Sequence, residues 1–335
     1  MNDFSAKLKT ATQSGLAFAL FRKPDENQVF LFVNDASAKN NLLLHAFDSK
    51  KEIRISDANP LSVAQTGFQF DFEVNLPPSG NFSPLNQLEY EHLIHKTIDT
   101  IKQSAIRKIV FSRNKLIENK NYNLLRTFST LMQQHPSALV YLWHDPNAET
   151  WMGASPELLL SQENETLKTV SLAGTKSPDA EWTTKEIEEQ QIVTDYILDA
   201  MNGLDELSAS ETQTVQAGKF QHLKTYISAK TNADFDVSSL LKKLHPTPAV
   251  CGLPKQAAFD YILKNETYDR GFYTGYIGIE NENSKIYFVN LRSARFFRNS
   301  IFVYAGGGIT ADSKPNKEWD ETEMKSGTII NALTD

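Results

Sequence analysis

Several carboxylate and amine side chains in this sequence occupy positions where they could carry acid–base or metal chemistry. The first is Glu189, which lies four residues before Val193 and seven before Tyr196, so it shares the apolar stripe of a predicted helix. A carboxylate that faces inward is costly to bury unless a metal or a cation compensates its charge. The alternative is an exposed place in the first helical turn, where the helix dipole favours a negative charge. Position alone favours that alternative.

A second group of charges lies in the segment EWDETEMK near the end of the chain. Glu318, Glu321 and Lys325 are spaced i, i+3, i+7, so a helix places them on one face. By itself this spacing is typical of a solvated ion-pair face. The preceding triplet Gly306–Gly308 changes the interpretation, because backbone N–H groups without side chains can approach an anion closely. Phosphate-loop and dinucleotide patterns are absent, which favours a small carboxylate over a nucleotide as the ligand.

Four further residues are single candidates, each with a structural alternative. Lys108 opens the strand-like KIVFSR and could be a base, although a lysine on a half-buried strand usually extends its amine to solvent. Glu157 follows a proline in GASPELLL and is either a buried acid or a turn residue. His245, in a loop stiffened by the prolines of LHPTPA, is either a substrate contact or a structural histidine. Arg292 in NLRSAR is a candidate strand-borne fork for a carboxylate, or one half of a cross-strand ion pair.

Composition restricts the kinds of partner. The 335 residues contain 34 Lys and Arg against 41 Asp and Glu, a net charge of −7, which makes nucleic acid and anionic membranes poor partners. The single cysteine, Cys251, excludes an internal disulfide and a cysteine-based zinc site. No apolar run approaches the ~18 residues that cross a bilayer, and the N-terminal run is too short for a signal core. We therefore expect a soluble cytoplasmic protein with a small-molecule partner.

The elements that position these residues follow from the hydrophobic pattern. Strand-like runs fill residues 1 to about 85 and end at the breaker-rich NLPPSGNFSP. An amphipathic helix then carries apolar residues from Tyr90 to Ile101. Further helices are predicted at about 184–202, where Thr183 and Glu186 fit a capping box, and at about 317–331. Strands cluster between them, which predicts an α+β fold of mainly antiparallel sheets with helices outside. Residues 1–85 form the N-terminal part and 86–335 the core of what we expect to be one integrated domain.

Eight segments together resemble the chorismate-utilising enzymes, namely anthranilate synthase component I, aminodeoxychorismate synthase, isochorismate synthase and salicylate synthase. The segments are KIVFSR, GASPELLL, SLAGT, KEIEEQQIV, LHPTPAVCGLPKQAA, DRGFYTGYIG, NLRSAR and YAGGGI followed by EWDETEMK. They span about residues 88–335 in the family's order and spacing, whereas the first 85 residues match only loosely. The resemblance implies a large two-sheet antiparallel sandwich flanked by helices, anthranilate synthase component I-like, with the site in a cleft between the sheets.

The resemblance also implies a magnesium site. Glu189 and Glu321 match the family's Mg²⁺ ligands, and Glu318 matches an outer-sphere carboxylate that holds metal-bound water. Magnesium prefers carboxylate and water oxygens, which agrees with these residue types. Gln191 stands where close relatives often have a second glutamate, so one outer-sphere carboxylate is lost.

Substrate contacts follow from the same resemblance. Backbone donors of Gly174 and Thr175 would bind the ring carboxylate of chorismate. Arg292, Tyr273 and the backbone of Gly306 would hold the enolpyruvyl carboxylate. Lys325 matches a lysine of the family near the bound carboxylates. A metal and two cations would thus allow an acidic protein to bind a dianion.

Two positions indicate which member of the family the chain is similar to. Lys108 resembles the water-activating base of isochorismate and salicylate synthases, and Ala173 stands where aminodeoxychorismate synthases have a nucleophilic lysine. The implied reaction is therefore addition of water at C2 of chorismate, with a neutral Lys108 as base and a protonated Glu157 as acid for the departing C4 hydroxyl. The implied activity is a Mg²⁺-dependent isomerase, isochorismate synthase, whose product feeds menaquinone or catecholate siderophore biosynthesis.

Three alternatives remain open at this level. A salicylate synthase would eliminate pyruvate from the same intermediate with the same residues. A non-catalytic chorismate-binding subunit is disfavoured by the acid, base and ligand residues that are present. A metal-dependent hydrolase would need histidine ligands, and the seven histidines show no metal-binding spacing. No oligomer face is evident, so we expect a monomer.

Overall fold

Two large antiparallel sheets organise the chain, with helices packed around them. The structure, a computed structural model, describes residues 3–35, 39–70, 72–78, 84–217, 220–232 and 235–335. The helices are α1 (Asp3–Gln13), α2 (Gln87–Gln103), α3 (Leu124–Gln134), α4 (Thr184–Ala200), α5 (Val237–Leu244), α6 (Lys255–Asn265) and α7 (Pro315–Ile330), with a 3-10 turn at Gln65–Gly67. The strands are β1 (Phe18–Arg22), β2 (Gln28–Val33), β3 (Asn40–His45), β4 (Glu52–Asp57), β5 (Leu61–Ala64), β6 (Lys108–Glu118), β7 (Leu139–His144), β8 (Thr150–Ser155), β9 (Leu158–Glu163), β10 (Thr166–Lys176), β11 (Asp205–Ala209), β12 (Gln213–Ala217), β13 (Phe220–Lys230), β14 (Gly252–Leu253), β15 (Tyr276–Glu280), β16 (Ser284–Val289), β17 (Ser293–Phe296) and β18 (Ser300–Ile309).

The strand order confirms the predicted antiparallel architecture. The first sheet runs β14-β6-β18-β17-β8-β7-β1-β2-β5, and the second runs β11-β13-β10-β9-β16-β15-β3-β4, with β12 paired to β13. The strand pairs that the structure describes are antiparallel. Neighbouring strands are often far apart in sequence, as in β6 with β18, so distant segments of the chain meet side by side.

The N-terminal strands join both sheets. The first sheet contains β1, β2 and β5, and the second contains β3 and β4, so both sheets combine strands from before and after residue 85. This arrangement supports one integrated domain, although the division at residue 85 itself remains a prediction. Of the predicted boundary segment 75–84, residues 79–83 lie outside the described residues. Within the described part, no helix has both the length and the apolar character needed to cross a bilayer.

An apolar layer fills the space between the two sheets. Phe21 and Tyr304 of the first sheet share one buried cluster with Leu44 and Ile277 of the second. On the outside, α1 and α3 pack against the first sheet, and α4 and α5 cover the second. Burying one face of each helix in this way is what stabilises amphipathic segments of this length.

Helix α4 begins as its capping pattern predicts. The backbone N–H of Thr183 donates to a carboxylate oxygen of Glu186 at 3.0 Å, the contact that defines a capping box. Val193 and Ile197 are buried against β10 and β13, which orients the helix over that part of the second sheet. The predicted helix at about 184–202 is therefore confirmed, and its first turns lie near the end of β10.

Helix α7 is held to strand β6 by Arg113, which is 2% exposed. The Arg113 Nε–H donates to Thr322 Oγ1 at 2.8 Å, and its guanidinium also pairs with Glu323. The guanidinium carbon lies 3.6 Å from the ring centroid of Trp319. These contacts anchor one side of α7, and Glu318, Glu321 and Lys325 lie next to it on the neighbouring face.

A second buried arginine ties the segment after α6 to the same strand. Arg270 forms a bidentate pair with Glu266, with N–O distances of 2.7 and 2.6 Å. Arg270 Nη2 also donates to the carbonyl of Val110 at 2.6 Å, and Glu266 accepts from the N–H of Ser112 at 2.7 Å. Because both side chains are 2% exposed, this pair is a buried charge network that fixes the backbone of β6 just after Lys108.

Candidate active site

The predicted base and the first predicted metal ligand are in direct contact. Lys108 is the first residue of β6, and its ammonium pairs with Glu189 Oε1 of α4, 81 residues further on. The Lys108 side chain is 11% exposed and the Glu189 side chain is 28% exposed. Glu189 therefore does not point to bulk solvent in the first turn, the alternative that position alone favoured, but faces a cation on the neighbouring sheet.

The charged face of α7 points at the glycine segment of β18. Lys325 Nζ lies 2.5 Å from Glu321 Oε1 and donates to the carbonyl of Gly306 at 2.8 Å. Glu318 is buried, and its Oε2 lies 2.9 Å from the position that a Cβ on Gly307 would occupy. The solvated ion-pair face is thus not what forms, because this face of the helix packs onto a strand that has no side chains in the way.

The glycine triplet belongs to a strand. Gly306–Gly308 lie inside β18 and pair with residues 110–112 of β6. A Cβ on Gly308 would lie 2.8 Å from Lys108 Cε and 3.7 Å from Glu189 Oε1. The glycines therefore make room for the charged side chains. Their backbone is already paired in the antiparallel ladder with β6.

Glu157 is buried beside the same cations. It follows Pro156, precedes β9 and is 8% exposed. Burial raises the pKa of Glu157 to about 7, and the positive charges of Lys108 and Lys325 oppose that rise. A carboxyl that keeps its proton near neutral pH, within range of an amine, has the properties of a general acid.

Arg292 and Tyr273 form a second part of the cleft. Arg292 lies in the link between β16 and β17, with φ of +49°, so the prediction that a strand carries it is wrong. Burial lowers the pKa of Arg292, whereas Tyr273 and Glu321 raise it, which places all three side chains within electrostatic reach. Tyr273 stacks on Tyr304 with ring centroids 5.4 Å apart, and its burial fixes the phenol beside the guanidinium. A carboxylate could be held between this guanidinium and phenol.

Gly174 and Thr175 lie at the far end of β10, opposite β13. Gly174 has φ of +69°, and a Cβ there would meet the Cβ and the carbonyl of Glu186 at 3.2 Å, so only glycine fits. The pairing with β13 shifts register at this residue, which is a β-bulge. For Thr175 the structure describes the backbone alone.

The analysis of the sequence missed His222, which lies on β13 across from the bulge. Its Nδ1 lies 3.0 Å from the carbonyl oxygen of Gly174. Burial lowers the pKa of His222, the hydrogen bond to Gly174 raises it, and the charges of Arg292 and Lys325 lower it. No local pattern in FQHLKT indicates this role, because the contact depends on the pairing of β10 with β13.

His245 lies in a different environment from the other candidates. Its Nε2 is 3.2 Å from the carbonyl oxygen of Phe47, and its ring packs edge-on against His45 and Tyr276. Burial lowers the pKa of His245 to about 3, which keeps the ring neutral. None of these contacts joins it to the lysine–glutamate cluster, so its predicted role as a substrate contact remains a prediction.

The donor set around the glycine strand fits a hard divalent cation. In the described residues no three His, Cys, Asp or Glu side chains already group as a metal site. Glu189 pairs with Lys108, and Glu321 pairs with Lys325. Burial raises the pKa of Glu321, but the charge and hydrogen bond of Lys325 lower it, and the net pKa is below its usual value. The negative charge of Glu189 raises the pKa of Glu321, so the two carboxylates lie within electrostatic range and repel one another. With Glu318 next to them, they offer the oxygen ligands that Mg²⁺ prefers.

Comparisons with known proteins identify the family of this chain. The model of the chorismate binding enzyme family matches residues 25–334. Among curated proteins, the isochorismate synthase MenF of Haemophilus influenzae is 29% identical over 256 residues, which cover 72% of this chain and 60% of that protein. The chain thus spans less than two thirds of the length of this relative.

Solved structures confirm the predicted fold. The menaquinone-specific isochorismate synthase MenF from Escherichia coli superposes with a TM-score of 0.82 at 20% identity, covering 99% of this chain and 92% of that one. Anthranilate synthase component I from Streptococcus pneumoniae superposes with a TM-score of 0.67 at 23% identity, covering 74% and 59%. With a family model that matches almost its full length, this chain belongs to the chorismate-binding enzymes.

Proposed function

We propose that this chain is an isochorismate synthase, which converts chorismate to isochorismate with the help of Mg²⁺. The observation that supports this most strongly is a buried carboxyl, Glu157, whose pKa burial raises to about 7 and which lies within electrostatic range of the buried amine of Lys108. Addition of water to a ring with loss of a hydroxyl requires one group that accepts a proton and one that donates it. The name of the Haemophilus influenzae relative agrees with this chemistry.

In the proposed reaction the protons move between these two residues and the substrate. Lys108, acting as the neutral amine, accepts a proton from the water whose oxygen bonds to C2. The ring double bonds shift, the C4–oxygen bond breaks, and Glu157 donates its proton to the departing hydroxyl, which leaves as water. One water is consumed and one is released, so the product is an isomer of the substrate. Exchange of one proton with solvent then restores both residues.

The remaining candidate residues hold the dianionic substrate. Arg292 and Tyr273 bind the enolpyruvyl carboxylate, and the backbone at Gly174 and Thr175 binds the ring carboxylate. Lys325 adds a positive charge between the two carboxylates. These contacts would orient the substrate ring so that C2 faces Lys108 and C4 faces Glu157.

Magnesium completes the substrate site in this proposal. Glu189 and Glu321 would be its ligands, with Glu318 holding a metal-bound water, and the ion would supply the positive charge that secures the ring carboxylate. The pair between Glu189 and Lys108 supports this proposal, because it holds the Glu189 carboxylate beside the proposed base.

Product analysis tests this function directly. Purified protein is incubated with chorismate, with and without MgCl₂, and the products are separated by chromatography. We expect isochorismate, only when magnesium is present, and no salicylate or pyruvate. Salicylate and pyruvate in equal amounts would identify a salicylate synthase instead. Binding of chorismate without turnover would identify a non-catalytic chorismate-binding subunit.

A further inference from the structure

The hydrogen bond between His222 and Gly174 fixes the orientation of a backbone carbonyl in the bulge of β10. A carbonyl oxygen can only accept, so the 3.0 Å contact requires a proton on His222 Nδ1. Gly174 is the bulged residue of its strand, since Ala173 pairs with Leu223 and Thr175 pairs with His222. A bulged residue lacks a ladder partner of its own, and here the His222 side chain supplies the donor that holds its carbonyl.

Fixing this carbonyl also fixes the next amide. The peptide unit between Gly174 and Thr175 is planar and trans, so the Gly174 carbonyl and the Thr175 N–H point in opposite directions. A rotation of this unit would turn both groups together, and the φ of +69° at Gly174 leaves it in a conformation that glycine leaves easily. The histidine contact therefore sets the direction of the Thr175 N–H.

His222 also lies close to the charged groups of the cleft. The charges that act on it include those of Arg292, in the link between β16 and β17, and of Lys325 and Glu321 on α7. His222 therefore both contacts the bulge and lies within electrostatic range of the charged groups around the candidate site.

We propose that His222 is a positioning residue for the ring carboxylate of the substrate, acting through the peptide between Gly174 and Thr175. This proposal rests on the proposed function, because that function assigns the carboxylate to this backbone. His222 touches no reacting atom. Its loss therefore weakens substrate binding in the ground state and the transition state alike, and so raises KM with little change in kcat.

Three variants test the role of the side chain. His222→Phe keeps the ring but removes the donor, and His222→Leu serves the same purpose if the phenylalanine does not fit. His222→Asn places an amide N–H near the position of Nδ1. The control is His144→Asn, since His144 is a buried histidine of β7 that contacts Thr150 Oγ1 at 2.9 Å and lies in another part of the fold.

We expect His222→Phe or His222→Leu to raise both the chorismate KM and the Kd for chorismate, measured with MgCl₂, about tenfold. This factor corresponds to the loss of about one hydrogen bond. The kcat should stay within about twofold. His222→Asn should restore KM and Kd to within about threefold of wild type, with the pH profile of kcat unchanged. His144→Asn should leave KM and Kd at wild-type values.

The outcomes separate this proposal from the proposed function. A wild-type protein that binds chorismate but does not convert it contradicts the activity, and the Kd values of the variants still decide the role of His222. If the apolar variants lower the melting temperature but leave KM and Kd unchanged, His222 is merely structural and the proposal is wrong. An asparagine variant as impaired as the apolar ones also overturns it. A wild-type protein that binds no chorismate overturns both.

Discussion

The ammonium of Lys108 and the carboxylate of Glu189 face each other across Gly308, so the candidate base and the candidate metal ligand share one small space. A side chain at position 308 would force the end of Lys108 to move, because its Cβ would lie 2.8 Å from Lys108 Cε. This relationship makes the glycine as important for the proposed chemistry as the charged residues themselves.

Gly308→Ala should therefore impair catalysis more than folding. The added methyl meets the flexible end of Lys108 and displaces the amine, and a misplaced group can cost about 10²-fold in rate. We expect kcat to fall by about that factor and the melting temperature to stay near wild type. Gly327→Ala in α7 is the matched control: it raises helix propensity and should leave kcat unchanged. A fully active Gly308→Ala protein would show that Lys108 does not need this position.

Lys108→Ala and Glu157→Gln should each fold and lose turnover. General acid–base groups contribute about 10² to 10⁴ in rate, so kcat should fall within that range while chorismate still binds. The controls are Lys102→Ala and Glu163→Gln, which change exposed residues outside the cleft. Initial rates and melting temperatures of all four proteins decide the matter, and wild-type turnover in either of the first two would remove that residue from the scheme.

The raised pKa of Glu157 predicts a loss of activity in alkaline solution. Only the protonated carboxyl can donate, so kcat should decline as the pH rises above about 7, the value to which burial raises this pKa. A pH–rate profile measured with saturating chorismate and MgCl₂ tests this. The residual rate of Glu157→Gln should lack that descending limb, whereas a limb retained in the variant would assign it to another group.

The same shift predicts how folding stability depends on pH. Because the folded-state pKa lies above the ordinary 4.5, the folded protein holds this proton more tightly than the unfolded chain. The resulting stability is fully present below about pH 4.5 and is lost as the pH rises through about 7. Between pH 4.5 and 8, wild type should lose up to about 3 kcal/mol relative to Glu157→Gln. Urea unfolding of both proteins at several pH values measures this difference.

Glu321→Ala should weaken the response to magnesium. We expect the MgCl₂ concentration for half-maximal activity to rise at least about tenfold, because the change removes a proposed ligand. Asp320→Ala, one residue earlier on the same helix and 63% exposed at its side chain, is the control and should titrate like wild type. Identical titrations for the two variants would show that Glu321 binds no metal.

Sequence reasoning predicted the parts that depend on local pattern. Helix α4 begins where the Thr183 and Glu186 capping pattern places it, and β6 begins at Lys108. Hydrophobic periodicity and capping are properties of a few adjacent residues, so they can be read without the fold. The antiparallel sheets followed from the clustering of strands.

Contacts between distant strands could not be predicted in the same way. The sequence contains no indication that Gly174 is bulged opposite His222, 48 residues later, because strand partners and registers are set by the packing of the whole sheet. For the same reason the sequence did not indicate that Gly306–Gly308 lie in a strand beside β6. Their proximity to the charged side chains follows from that pairing.

The ten-residue ladder between β6 and β18 also makes catalysis a measure of correct assembly. Ile309 lies opposite Ile109 and Ser300 opposite Glu118, and this alignment alone brings Gly308 to the amine of Lys108. A slip of one residue would turn the lysine to the other face of the sheet, and the mispaired chain would be inert even if it were compact. Turnover therefore reports the alignment of these strands, which a spectroscopic measure of sheet content would not detect.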